Sequence, residues 1–184
     1  MKEGEKKIQK VNEKSSNDFL FSQNNFVYNL VRQPNDISYR KLNEATRRGY
    51  LVIVITNQRG IGKEIMSKND FEKVMAKLNE ELEKHGAHID AYHYYPDVDD
   101  ASPCRKPNIG MFLKAKEDFL DIYFKNSFVV GASWRDVEAG KKLGAKTILI
   151  GNNTSIQIKS DYVVNNLLEV VSIIEECYNE SKND

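Results

Sequence analysis

The chain has 184 residues, which suits one domain with a single buried core and leaves no room for a second core. Lys plus Arg and Asp plus Glu each number 27, so the net charge is zero, which speaks against a general nucleic-acid binder, although a local basic site remains compatible with it. The two cysteines, Cys104 and Cys177, lie far apart without C-x-x-C spacing; they support neither a disulfide framework nor a cysteine-rich zinc site, and a reducing cytoplasm fits them best.

In chain order, residues 1–17 (MKEGEKKIQKVNEKSSN) are charged and polar, with no apolar run from which to build a signal peptide or a membrane span. They are expected to form a disordered or frayed arm ahead of one domain over residues 18–184. Asp18 to Phe21 reads as a short strand before the polar run Ser22-Gln23-Asn24-Asn25, and a second apolar group, Phe26 to Val31, stops at Pro34. Ser38 to Arg48 reads as a helix closed by Gly49. Leu51 to Ile55 is a continuous β-rich run of the kind found in buried parallel strands. Arg59 to Gly62 reads as a glycine turn able to point backbone N–H groups at an anion. Ser67, with Asp70 three residues on, marks a capped start for a helix through Lys84, with Phe71, Val74, Met75, Leu78 and Leu82 on one face.

His88 to Tyr95 is the next strand, followed by the acidic loop DVDDASP, read as a solvated lid in which Asp97, Asp99 and Asp100 offer at most weak Ca²⁺ capture. Helices are expected over Ile109 to Phe119 and Trp134 to Leu143, strands over Ser127 to Gly131 and Lys146 to Ile150. Val163 and Val164 close the sheet before a last helix from Leu167 to Tyr178. Strands alternating with helices imply a three-layer α/β architecture, Rossmann-like, with a mostly parallel sheet and helices on both faces. In such sheets ligands sit at the carboxyl ends of the strands. Three polar clusters fall there: Thr56-Asn57-Gln58, Arg105-Lys106-Pro107, and Gly131 to Asp136.

TNQRGIG, CRKP followed by GM, and VGxxWRDVEAG occur in an order and spacing that resemble the haloacid dehalogenase (HAD) superfamily, subclass IIIA, on the side of its heptose-bisphosphate and histidinol-phosphate phosphatases. The match runs from about Leu42 to Ile150. The resemblance implies the HAD-like fold with little or no cap domain. It also implies hydrolysis of phosphomonoesters with Mg²⁺ and two aspartates of a D-x-D-G-T segment after the first strand, the first attacking phosphorus and the second moving the proton. Carried over, Thr56 is the phosphate-binding hydroxyl and Lys106 the phosphate-binding amine, with Asn57 and Arg105 as substrate contacts.

The carboxylates depart from that pattern. Phe21 stands at the nucleophile position, Gln23 at the acid/base position and Ala132 at the first aspartate of G-D-x-x-x-D, which leaves only Asp136. Tyr95, Asp97 and Ser102 stand in three of the four places of the zinc loop that the subclass often carries, with Cys104 in the last, so no zinc is expected. Phenylalanine supplies neither a nucleophile nor a metal ligand, and glutamine exchanges no proton near neutral pH.

The expected protein is therefore a catalytically impaired HAD-like domain, cytoplasmic, that retains phosphate or phosphosugar binding. It has no required cofactor, no nucleic-acid or membrane partner, and room for a protein partner or a homo-oligomer. Two alternatives stand beside it. One is an active Mg²⁺-dependent sugar phosphatase whose nucleophile is displaced to Asp18 or Asp36; the other is a scaffold whose crevice binds nothing. Asp136, in a first helical turn, is expected to serve the helix dipole. Trp134 is read as a packing or rim residue, and His85, His88 and His93 lack metal-ligand spacing.

Overall fold

The computed structural model describes residues 7–8, 18–21, 43, 47, 49–96, 98–151 and 158–180. Strands β1 (Lys7–Ile8), β2 (Asp18–Phe21), β3 (Leu51–Asn57), β4 (Ala91–Tyr95), β5 (Phe128–Gly131), β6 (Lys146–Ile150) and β7 (Tyr162–Val164) form one sheet in the order β1-β4-β3-β2-β5-β6-β7. All neighbours are parallel except β1, which runs antiparallel to β4. Helices α1 (Arg59–Gly62), α2 (Lys68–Lys84), α3 (Gly110–Asp118), α4 (Trp134–Leu143) and α5 (Leu167–Glu180) connect them or follow them.

The alternation of side chains along β3 builds the three layers. Val52 and Val54 face a core shared with Phe71, Met75, Leu78 and Leu82 of α2 and Val170 and Ile174 of α5. Ile53 and Ile55 face the opposite core, with Met111, Phe112 and Ala115 of α3 and Ala139 of α4. A strand buried on both sides needs the unbroken apolar run seen in the sequence, and its helices must divide between the two faces. The expected three-layer, mostly parallel α/β sheet is thus the observed one.

The differences have local causes. Within the stretch expected to be an arm, Lys7 and Ile8 pair with Tyr92 and Ala91 and form one edge of the sheet. The expected glycine turn is instead the single-turn helix α1, and neither Gly60 nor Gly62 has a positive φ. Two of its amides are committed within the protein: Ile61 N donates to Gln58 O, and Gly62 N donates to Pro96 O at 2.9 Å.

β4 starts at Ala91, because the Asp90 side chain accepts the Val52 N–H at 2.7 Å and so takes over a ladder bond. Val74, assigned to the buried face of α2, is 42% exposed. Asn43 and Arg47 are helical, but the rest of the expected helix Ser38 to Arg48 lies outside the described residues, as do Gln23, Asp36, Asp97 and the group Phe26 to Val31.

The register also locates two first-motif positions along β2. Phe21 ends the central strand, level with Val54 of β3 and Val130 of β5. Asp18 lies opposite Leu51, five residues before Thr56 on β3. At a rise of ~3.3 Å per residue this places the Asp18 backbone ~17 Å along the strand direction from the level of Thr56.

Candidate functional site

The three polar clusters converge where β3 and β5 end. Asn57, the last residue of β3, holds the loop of Lys106 by its backbone: its Oδ1 accepts the Lys106 N–H at 3.1 Å, and its Nδ2 donates to the Lys106 carbonyl at 3.2 Å. This two-way clasp turns the Lys106 side chain under the carboxyl end of β3, where Nζ donates to the Ile55 carbonyl at 2.7 Å. The ammonium also lies 3.0 Å from Asp136 Oδ1, with both side chains almost fully buried. Burial pushes the pKa of Lys106 down, and the neighbouring Asp136 carboxylate pulls part of the way back.

Asp136 serves two elements at once. Its Oδ2 accepts the Ser133 N–H at 3.2 Å, closing a capping box at the start of α4, while Oδ1 meets Lys106. The expected role at the helix end is present, and the ion pair with Lys106 is an addition the sequence did not reveal. Space for this carboxyl depends on Gly131: a Cβ there would lie 2.4 Å from both Asp136 Cγ and Oδ2.

Above the buried pair opens a cleft of about 270 Å³, lined by Asn57, Arg59, Arg105, Lys106, Ser133, Arg135 and Asp136. Among the described residues the lining holds four cations and one carboxylate, and even with Asp100 paired to Arg59 and Arg105 the excess charge is positive and suits an anion. Thr56 stands one residue behind the wall; it is fully buried, and its hydroxyl accepts from Gln58 Nε2 at 3.2 Å. Arg105 is 5% exposed and Arg135 stacks on the ring of Trp134 at 4.6 Å, with Trp134 38% exposed. Ser133 and Arg135 were visible only as members of a polar cluster. Arg59 was read as part of a turn, and nothing local in the sequence marks it as a wall residue.

A magnesium ion, which the resemblance implies, requires oxygen donors, commonly including carboxylates. As carboxylates the described residues lining the cleft offer Asp136 alone, with each oxygen already engaged and position 132 an alanine. Taken alone, these described residues do not fit a divalent cation. Among the described residues there is no group of three or more His, Cys, Asp or Glu placed to hold a metal. His88 Nε2 instead lies 3.1 Å from Asp90 Oδ1, and His93 is buried in β4. No described helix is long and apolar enough to cross a membrane.

Comparison with known proteins shows the family and the fold. The model of the family described as polynucleotide kinase 3 phosphatase matches residues 5–163. The chain is 32% identical over 129 residues to the D-glycero-alpha-D-manno-heptose-1,7-bisphosphate 7-phosphatase of Campylobacter jejuni, covering 70% of this chain and 74% of that protein. It is 29% identical over 168 residues to the D-glycero-beta-D-manno-heptose-1,7-bisphosphate 7-phosphatase of Haemophilus ducreyi, covering 82% and 92%. Among solved structures, D,D-heptose 1,7-bisphosphate phosphatase from B. bronchiseptica, complexed with magnesium and phosphate, shares the fold with a TM-score of 0.74 at 21% identity, over 86% of this chain and 98% of that one. A putative HAD-like phosphatase from Mesorhizobium loti gives the same TM-score and identity over 96% of both chains.

Proposed function

The chain belongs to the polynucleotide kinase 3 phosphatase family within the HAD superfamily, close to the heptose-bisphosphate phosphatases, and from that premise we propose that it binds a phosphate or phosphosugar without hydrolysing it. The observation that carries the reading is the cleft itself: a buried ammonium flanked by three arginines, with the one carboxylate that the described residues place in its wall neutralised by that ammonium. In this reading Lys106 and Arg105 bind the phosphoryl oxygens directly, Asn57 holds Lys106 in place, and Thr56, fully buried behind the wall, fixes the end of β3.

Loss of turnover follows from residue chemistry. Phe21, Gln23 and Ala132 stand where a nucleophile, a proton carrier and a metal ligand are required, and acid/base help alone is worth ~10²–10⁴-fold. With those carboxylates gone, the site no longer needs a cation to offset repulsion toward phosphate. A cytoplasmic setting belongs to the same reading and is supported by the unpaired Cys104 and Cys177.

The test is phosphate release from a panel of sugar phosphates, heptose 1,7-bisphosphate included, with and without Mg²⁺, beside Lys106→Ala. No release above that variant is expected, together with a rise in unfolding temperature on adding inorganic phosphate, since a ligand selective for the native state stabilises it. Mg²⁺-dependent release that vanishes in Lys106→Ala would overturn the reading and return a nucleophile to the chain.

A further inference from the structure

At the mouth of the cleft one carboxylate of the acidic loop is shared by two arginines. Asp100 Oδ1 accepts from Arg105 Nε at 2.7 Å, and Asp100 Oδ2 accepts from Arg59 Nη2 at 2.8 Å. The same Arg59 nitrogen donates to the Val98 carbonyl at 3.0 Å, which ties the loop backbone to the fork. The partners differ sharply in exposure: the Asp100 side chain is 69% exposed, Arg59 42% and Arg105 6%.

Both guanidinium groups also keep an N–H without an acceptor. Arg105 Nη1 and Arg59 Nε are buried and hydrogen-bond to nothing in the described structure, although both residues line the anion cleft. Buried donors are normally satisfied, so cleft-lining arginines that each keep an unmatched buried donor have hydrogen-bonding capacity left for an oxyanion from outside. The carboxylate resting on their other donors has the charge and two-oxygen shape of part of a phosphate group, and it comes from the exposed side of the loop.

We infer that Asp100 is an internal competitor for the cleft: its carboxylate occupies the Arg59–Arg105 fork, and an anionic ligand must displace it, so the acidic loop gates entry. The inference rests on the proposed anion site and adds a regulator to it. Release costs little, because an exposed ion pair is weak and screened by salt, yet it frees two guanidinium edges and a loop together. The gate is thus a modest tax on affinity, removed in full by any ligand that offers the fork oxygens of its own.

The experiment titrates inorganic phosphate into the full-length protein by calorimetry, comparing wild type with Asp100→Asn and Asp99→Asn. Asp99→Asn makes the same charge change on the same loop; the Asp99 carboxylate Oδ1 accepts from the Ala101 N–H. Asp100→Asn is expected to tighten phosphate binding roughly two- to fivefold, the range set by an exposed ion pair, while Asp99→Asn leaves it nearly unchanged.

Binding that appears only in Asp100→Asn also supports the gate. Equal tightening in both variants would reduce the effect to net charge and overturn it. Weaker binding in Asp100→Asn would overturn it too, making Asp100 a positioning residue for the arginines. In both of those outcomes the anion site itself survives. Absence of binding in all three proteins removes the proposed function and the gate together.

Discussion

Lys106 and Asp136 each neutralise the other's charge with almost no exposure to solvent, so removing either leaves a buried charge alone. Lys106→Met and Asp136→Leu are each expected to lower unfolding free energy by ~3–5 kcal/mol in urea titration, and the double variant to lose less than the sum of the two. pH adds a second readout. Because burial lowers the Lys106 pKa below its usual 10.5, the unfolded chain binds more protons than the folded one between the two values. The Lys106 contribution to stability therefore rises with pH across that window. Stability measured toward pH 10.5 should gain less in Lys106→Met than in wild type. Gly131→Ala tests the same pair from the backbone: its methyl would occupy the place of the Asp136 carboxyl, and overpacking of this kind costs ~1–3 kcal/mol. Its phosphate protection should fall with its stability.

At the scale of elements, α4 carries the site on its first turn and is held by signals at both ends: the Ser133–Asp136 box at the start, and Gly144 at φ 71° after the last turn. Ser133→Ala removes an acceptor from the Arg135 N–H and is expected to cost ~1 kcal/mol, read by urea unfolding, while loosening Asp136 as well. Those terminal signals are local in sequence, which explains why Trp134 to Leu143 was legible to the residue. β3 and β6 were legible for a similar reason, each being a short β-rich run. Where side chains replace backbone partners the pattern misleads: His88 to Asp90 looks like strand, but the Asp90 carboxylate takes the Val52 N–H and delays the ladder to Ala91. The glycines of α1 suggested a turn with its N–H groups open to an anion, although the chain there winds into a helical turn and packs the partly buried Ile61 against the core. In the site, Thr56, Asn57, Arg105 and Lys106 could be named from motifs. The bridge from Arg59 to Asp100 could not, because it joins residues 41 apart through a contact that only the folded loop creates.

Over the whole molecule, the sheet fixes where chemistry must happen and leaves the identity of its residues open. Strand register is held by the backbone ladder, which is indifferent to a substitution at the end of a strand. Phe21→Asp, Gln23→Asp and Ala132→Asp made together should therefore bring Mg²⁺-dependent phosphate release from sugar phosphates, lost again on adding Lys106→Ala. That outcome is checked by the same release assay, with thermal unfolding to confirm that the fold persists.

The place of β2 in the sheet also bears on how the protein is made. It is synthesised before both of its neighbours, yet Phe19 to Phe21 pair with Phe128 to Val130, roughly 110 residues later. At ~5–20 residues per second the ribosome needs about 5–20 s to cover that distance. For that interval a Phe-Leu-Phe segment has one side of its ladder open to any other nascent strand, which makes this stretch a natural handle for chaperones and the place where aggregation during synthesis would begin.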